Sequence, residues 1–169
     1  MRIILNIKFA ETYAVELLNG LAAHNAHALR SLADQGELLP LLYESGVVYE
    51  REEEELWSDF PSLLDQGHED CDALSAARAG ELIAWGWEAL APGDGGYQRA
   101  RQDRPESLDA EVLLRTRRQL GERGGLYHCI VEYRVGGFIY RDDPSARLGM
   151  LVNRAPHNPW GDRPVRRAA

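Results

Sequence analysis

The chain has 169 residues, of which 44% are hydrophobic and 27% are charged, so it can bury the core of one ordinary domain. Its acids outnumber its bases 27 to 19, and the net charge of −8 argues against a nucleic-acid-binding module, which is usually basic. Apolar runs such as residues 3–5 are far too short for a membrane span, and no secretory signal is visible at the N-terminus. We therefore expect a cytoplasmic product without a membrane partner. Two cysteines, Cys71 and Cys129, are too few for a disulfide framework or a structural zinc site.

Hydrophobic spacing predicts the elements of the first half. Residues 2–9 alternate weakly and predict a strand, and residues 11–32 carry apolar side chains at helical spacing. Residues 61–66 predict a short helix with proline in its first turn and Gly67 after its end. Residues 72–85 predict a longer helix that is apolar nearly all round, which is typical of a central, buried helix.

The second half contains a predicted hairpin and a polar tail. Residues 91–105 are rich in Gly, Pro and Arg and predict a mobile connection, and residues 107–120 predict an amphipathic helix with Ser107 as its N-cap. Strands are predicted over 127–133 and 138–141, around a Gly-Gly turn. The last segment, 151–169, contains three prolines and four arginines and few apolar residues. We therefore predict one α+β domain over residues 1–150, followed by a flexible basic arm over 151–169.

Cys71 is a candidate nucleophile because it lies at the predicted start of the buried helix. Unpaired N–H groups and the helix dipole favour a thiolate there, and the Cys71 N–H can face a developing oxyanion. The neighbouring acids Glu69, Asp70 and Asp72 oppose this, because negative charge raises the pKa of a thiol. An inert, buried cysteine is the alternative interpretation of this position.

The hairpin supplies a candidate base and acid. A two-residue turn at 136–137 places Ile130 opposite Asp143 by antiparallel counting. His128 shares the face of Ile130, so Asp143 lies at a diagonal position about 7–8 Å away and within side-chain reach. Asp142 is expected on the other face. The alternative is a surface histidine on an edge strand beside two solvated acids.

A cysteine, a histidine and an orienting acid in this arrangement resemble the core of the transglutaminase-like cysteine peptidases. The similarity extends to a phage and prophage subgroup and covers residues 42–150. It rests on D-C-D-A-L at 70–74, H at 128, D-P-S at 143–145, L-Y-E-S-G-V-V-Y at 42–49, W at 57, L-L at 63–64, G at 67, A-A-R-A-G-E-L at 76–82, G-L-Y-H at 125–128 and D-P-S-A-R-L-G-M at 143–150.

The resemblance implies a papain-like fold, in which a central helix bearing the cysteine packs on an antiparallel sheet bearing the histidine and the acid. By position, Cys71 is the nucleophile, His128 the base and acid, and Asp143 the orienting acid. The implied activity is thiol hydrolysis or acyl transfer at an amide bond of a peptide, an isopeptide or a cell wall, without a cofactor. Trp57 or Gln66 would supply the second oxyanion donor.

Two other functions remain open at this point. In phages the resemblance points to genes among structural and tail genes, which favours a non-catalytic head or tail component. Such a component would be virion-associated and would bind other phage structural proteins through the arm at 151–169. A weaker alternative is an acetyl-type transferase that uses the same three residues.

The remaining polar residues predict no metal site. His24 and His27 lie three apart on a predicted helix, but no third ligand is evident, and a polar helix face explains them better. His68, Glu69 and Asp72 follow no metal-ligand spacing.

Cys129 adjoins His128, but its side chain is expected on the opposite face of the strand, in the core. That placement and a reducing cytoplasm both disfavour a disulfide between Cys129 and Cys71.

Overall fold

The computed structural model describes residues 2–4, 11–51, 56–86, 108–117, 126–135, 137–150 and 166–167, which form an α+β fold. The elements in chain order are β1 Arg2–Ile4, α1 Glu11–Asp34, a 3-10 turn Leu42–Glu44, β2 Val48–Tyr49, β3 Leu56–Ser58, α2 Phe60–Gln66, β4 His68–Glu69, α3 Cys71–Trp85, β5 Asp109–Arg117, β6 Leu126–Val135, β7 Phe138–Asp142, α4 Pro144–Arg147 and β8 Arg166–Arg167.

The two long helices, α1 and α3, pack directly against each other. α3 is buried along almost its whole length. At Gly80 the helices are so close that a Cβ atom would lie 2.6 Å from the Cβ of Asn25 and 3.0 Å from the carbonyl oxygen of Ala22. Asn25 is fully buried, and its side-chain oxygen accepts a hydrogen bond from the N–H of Phe60. These contacts fix α1 and the start of α2 relative to the helix that begins with Cys71.

The other side of α3 packs on a four-stranded antiparallel sheet in the order β5-β6-β7-β8. Val112, Cys129 and Val131 face the core from this sheet and share one buried cluster with α3. Two small two-stranded sheets complete the described fold: β1 pairs with β3 antiparallel, and β2 pairs with β4 parallel.

The prediction of a helix over 107–120 is wrong, because Asp109–Arg117 is strand β5. The segment pairs with β6 along its whole length, from Asp109 opposite Arg134 to Arg117 opposite Leu126. Exposure follows the period of a strand here, since Asp109 is exposed, Ala110 half-buried, Glu111 exposed and Val112 buried. Cross-strand pairing outweighs the modest helix preference of this stretch.

The free edge of β5 is covered by helix α1. The side-chain amide of Asn19 donates to the carbonyl of Val112 at 3.2 Å, and its oxygen accepts from the Val112 N–H at 2.8 Å. A side chain thus satisfies a strand edge whose backbone groups would otherwise need another strand or water.

The other predicted helices and the hairpin agree with the structure. The helices predicted over 11–32, 61–66 and 72–85 are α1, α2 and α3. Gly67 ends α2 at a φ of 76°, a left-handed conformation that glycine adopts without strain.

The predicted strand over 2–9 is described only as β1. The connection at 91–105 lies outside the described residues. Of the predicted arm only β8 is described, and it pairs antiparallel with β7.

Candidate active site

Cys71 is the first residue of α3, and two aspartates flank it at the start of the helix. β4 leads into the helix, and the carboxylate of Asp70 caps it by accepting the N–H of Asp72 at 3.2 Å. Asp72 in turn accepts the N–H of Ala73 at 2.8 Å. The N–H of Cys71 lies in the first helical turn, where the helix offers it no acceptor of its own. Cys71 is half-buried and lies at the positive end of the helix.

His128 and Asp143 form a short, buried hydrogen bond. The His128 Nε2 lies 2.9 Å from the Asp143 Oδ2, and only 1% of the Asp143 surface is exposed. The second carboxylate oxygen, Oδ1, accepts the N–H of Ala146 at 3.0 Å and so caps α4. Because both oxygens are engaged, the carboxylate has one orientation, and it holds the imidazole ring in one orientation too.

The imidazole of His128 also hydrogen-bonds the Cys71 thiol. Since Nε2 serves Asp143, the ring nitrogen that faces the sulfur is Nδ1. The structure thus brings Cys71, His128 and Asp143 together in the order thiol, imidazole, carboxylate.

The pKa values of the thiol and the imidazole move in opposite directions. A hydrogen bond from the Cys129 thiol is the largest cause at Cys71; with the bond to His128 it outweighs burial and lowers the Cys71 pKa to about 6. Burial would lower the His128 pKa, but the bonds to Asp143 and Cys71 raise it to about 9. Between these values the pair is a thiolate beside an imidazolium.

Cys129 contacts the site, which sequence reasoning missed. Its side chain is buried in the core as expected, but its thiol also hydrogen-bonds the Cys71 sulfur. Both cysteines are free thiols. The contact arises because α3 packs on β6 and begins near the first residues of that strand, where one sulfur meets two consecutive strand residues. The adjacency of Cys129 to His128 was the only signal in the sequence.

Neither Trp57 nor Gln66 is available as an oxyanion donor in this structure. The Trp57 indole N–H donates to the Asp72 carboxylate at 2.5 Å. The Gln66 amide donates one hydrogen to the Ser58 hydroxyl at 2.7 Å and the other to the Glu69 carboxylate at 2.9 Å. Both side chains therefore stabilise the turn that carries the nucleophile.

Tyr49 lies beside the cysteine, on strand β2. It is opposite Glu69 in the parallel pair with β4, and its N–H donates to the carbonyl of Leu148 at 2.9 Å. Partial burial raises the pKa of the Tyr49 phenol, and the charges of Cys71 and Asp70 raise it further. The phenol is therefore neutral at physiological pH and can donate a hydrogen bond.

Asp142, the residue before Asp143, belongs to a buried charged cluster. We call it the Arg78 cluster, and its members are Arg78, Glu81, Asp142, Arg147 and Tyr43. The Arg78 guanidinium donates to Asp142 and to Glu81, each at 2.9 Å. Arg147 lies 3.3 Å from the other oxygen of Asp142. Both guanidinium groups lie over the ring of Tyr43, 4.6 and 4.8 Å from its centroid. The cluster joins the 3-10 turn, α3, β7 and α4 behind the candidate active site.

The polar residues near Cys71 have separate partners. His68 lies 3.7 Å from Glu50, whereas Glu69 and Asp72 accept from the side chains described above. On α1, His24 lies 3.7 Å from Asp59. Within the described ranges, no group of three or more His, Cys, Asp or Glu side chains is placed to hold a metal ion.

Comparisons with protein-family models, with curated proteins and with solved structures find no match for this chain. Among the helices that the structure describes, none is long and apolar enough to cross a membrane.

Proposed function

We propose that this chain is a transglutaminase-like thiol hydrolase or acyl-transfer enzyme that acts on an amide bond. The observation that carries the proposal is the buried hydrogen bond between His128 and Asp143, beside a Cys71 thiol whose pKa hydrogen bonding with His128 helps to lower. The order of the elements supports a papain-like core, because a buried helix with cysteine at its first residue packs on an antiparallel sheet. In that sheet β6 carries His128, and Asp143 directly follows β7.

In the first step the Cys71 thiolate attacks the carbonyl carbon of the amide. The negative charge that develops on the carbonyl oxygen lies at the start of α3, where the Cys71 N–H donates to it. The His128 imidazolium gives its proton to the amide nitrogen as the C–N bond breaks. An amine leaves, and the acyl group remains on Cys71 as a thioester.

In the second step neutral His128 accepts a proton from water or from an amine acceptor. The deprotonated acceptor attacks the thioester carbon, and the C–S bond breaks. The products are a carboxylic acid or a new amide, and the thiolate–imidazolium pair is restored. Asp143 keeps the ring oriented throughout.

The test uses p-nitrophenyl acetate as a small acyl donor. We expect the full-length protein to release p-nitrophenolate and to gain one acetyl group, which mass spectrometry maps to Cys71. The variant His128→Ala should acylate roughly 100-fold more slowly or worse, because a positioned base contributes that much. The matched control is His27→Ala, since His27 is exposed on α1, a helix that carries none of the three residues.

A Cys71 that reacts no faster than free cysteine with either p-nitrophenyl acetate or iodoacetamide near pH 7 would contradict the enzymatic proposal. That result would favour the alternative of a non-catalytic phage component that keeps the fold. The phage association, the peptide or cell-wall substrates and a virion location rest on the resemblance of residues 42–150 alone.

A further inference from the structure

Cys129 is a buried thiol that the mechanism above does not use, yet it gives the nucleophile two hydrogen bonds. Only 2% of its surface is exposed, and its side chain lies in the core between α3 and the sheet. Cys71 packs against the same buried cluster, and hydrogen bonding from the thiol and the backbone N–H of Cys129 lowers the pKa of the Cys71 thiol.

The strand register explains why that backbone N–H is available. β7 pairs with β6 from Val135 opposite Phe138 to Val131 opposite Asp142, and then the chain turns into α4. In an antiparallel pair closed by a two-residue loop, every second residue directs its N–H at the partner strand. Cys129 is the next residue in the series that begins at Val135 and passes through Val131. Its N–H therefore points past the end of the β6–β7 ladder, where the Cys71 sulfur takes the place of a β7 carbonyl.

We propose that Cys129 is a positioning residue for Cys71: its S–H and its N–H both donate to the thiolate and hold the sulfur beside His128. The inference rests on the proposed function, because it concerns the same nucleophile. Burial and the contact with Cys71 raise the pKa of the Cys129 thiol, so Cys129 keeps its proton and acts only as a donor.

The surroundings of Cys71 make such donors necessary. Asp70 at the helix cap and Tyr49 on β2 both lie near the sulfur, and among the described residues His128 is the cation that hydrogen-bonds it. Negative charge from the acids raises the pKa of the Cys71 thiol. The two donors of Cys129 offset that repulsion without bringing a further charge into the core.

The experiment measures alkylation of Cys71 by iodoacetamide as a function of pH, with mass spectrometry of the Cys71 peptide as the readout. In the wild type we expect the rate to rise with a midpoint of about 6. The variant Cys129→Ala removes the S–H donor and keeps the N–H, so its midpoint should rise by about one to two pH units. The variant Cys129→Ser retains an O–H donor and should restore a midpoint near that of the wild type.

The control is Val131→Ala, which removes buried packing two residues along the same strand but no donor to Cys71. It should leave the midpoint unchanged even if the protein becomes less stable. If Cys129→Ala does not fold, Cys129→Val keeps the side-chain volume without a donor and takes its place. A midpoint near 6 in the variant without a donor would overturn the inference and leave the proposed function intact. A wild-type midpoint near that of free cysteine would instead contradict the proposed function itself.

Discussion

Asp142 and Asp143 are consecutive acids with opposite tasks, because side chains alternate along a strand. Asp143 holds His128, whereas Asp142 points to the other side and pairs with Arg78. Counting along the hairpin predicts this division, since the observed register is the one that a two-residue turn requires.

The two acids should therefore give opposite phenotypes when each is changed to asparagine. Asp143→Asn keeps the cap of α4 but removes the charge beside His128, so Cys71 acylation should fall by a factor on the order of 10²–10⁴ with little loss of stability. Asp142→Asn leaves a buried Arg78 without its full counter-charge and should cost about 3–5 kcal/mol of unfolding free energy. Urea denaturation and p-nitrophenyl acetate turnover measure the two effects. Similar losses of both quantities in both variants would contradict the assignment.

The pH dependence of acylation should be a bell between the pKa values of the site. The thiolate of Cys71 forms as pH rises through about 6, and the imidazolium of His128 is lost as pH rises through about 9. An amine leaving group needs both forms, so the rate of cleavage of a peptide p-nitroanilide should rise at the first value and fall at the second. A single sigmoid with a midpoint near 9 would show that the thiol is not activated.

The contribution of the Cys71–His128 pair to the free energy of unfolding should be nearly independent of pH between 6.5 and 9. Because the pKa of the Cys71 thiol is lowered in the folded state, the thiolate stabilises the fold at high pH, and this stabilisation is lost as pH falls through about 6. Because the pKa of His128 is raised, the imidazolium stabilises the fold at low pH, and this stabilisation is lost as pH rises through about 9. In the unfolded chain the thiol titrates near 9.0 and the imidazole near 6.5, so both states hold one proton between those values. The difference in unfolding free energy between wild type and the double variant Cys71→Ala, His128→Ala should therefore hardly change from pH 6.5 to 9; a steep slope would contradict the two pKa shifts.

At the scale of elements, the amphipathic or buried helices and the tight turn are the parts that local sequence predicts. Periodicity identifies α1 and α3, and glycine marks the end of α2 and the turn of the hairpin. β5 escapes prediction because its pairing with β6 is a long-range contact, and a short stretch with mixed periodicity does not reveal its partner. The same limit applies to Trp57 and Gln66, whose acceptors depend on how the turn before α3 folds.

The close approach of α1 and α3 predicts opposite effects for two glycine substitutions. Gly80→Ala places a Cβ atom 2.6 Å from Asn25, so the helices must separate, and stability should fall by about 1–3 kcal/mol. Gly20→Ala is the matched control: Gly20 is exposed on α1 with no atom in the way of a Cβ, and stability should rise by about 0.5–1 kcal/mol. Urea denaturation of the two variants measures both changes in stability. If both variants lost stability, or both gained it, the packing described for Gly80 would be contradicted.

At the scale of the whole molecule, the sequence predicts a boundary near Met150, and the described part of the following segment pairs with the domain. Arg166 and Arg167 pair with Ile139 and Phe138 on β7. This contact is consistent with an arm that lies against its own domain, and it covers an edge of the sheet.

A chain that ends at Met150 should remain folded. The described arm residues lose two cross-strand pairs, and a backbone hydrogen bond contributes about 1 kcal/mol net, so the loss from this pairing should stay near 2 kcal/mol. Thermal and urea denaturation measure it, and sedimentation shows whether the uncovered edge of β7 promotes self-association. Complete unfolding on truncation would place 151–169 in the core and contradict the predicted arm.

His128 and Cys129 lie on β6, whereas the Cys71 sulfur that they contact lies on α3. The high reactivity of Cys71 is therefore a property of the folded state. Most thiols react faster when a protein unfolds, because they become accessible. Cys71 should do the reverse at neutral pH: denaturant separates β6 from α3, the sulfur regains the pKa of free cysteine, and most of it becomes the slower-reacting thiol. Cys129 should follow the usual rule and become reactive only on unfolding. On unfolding, the reaction rate of Cys71 would thus fall while that of Cys129 rises. The ratio of the two rates gives an unlabelled protein its own internal measure of folding.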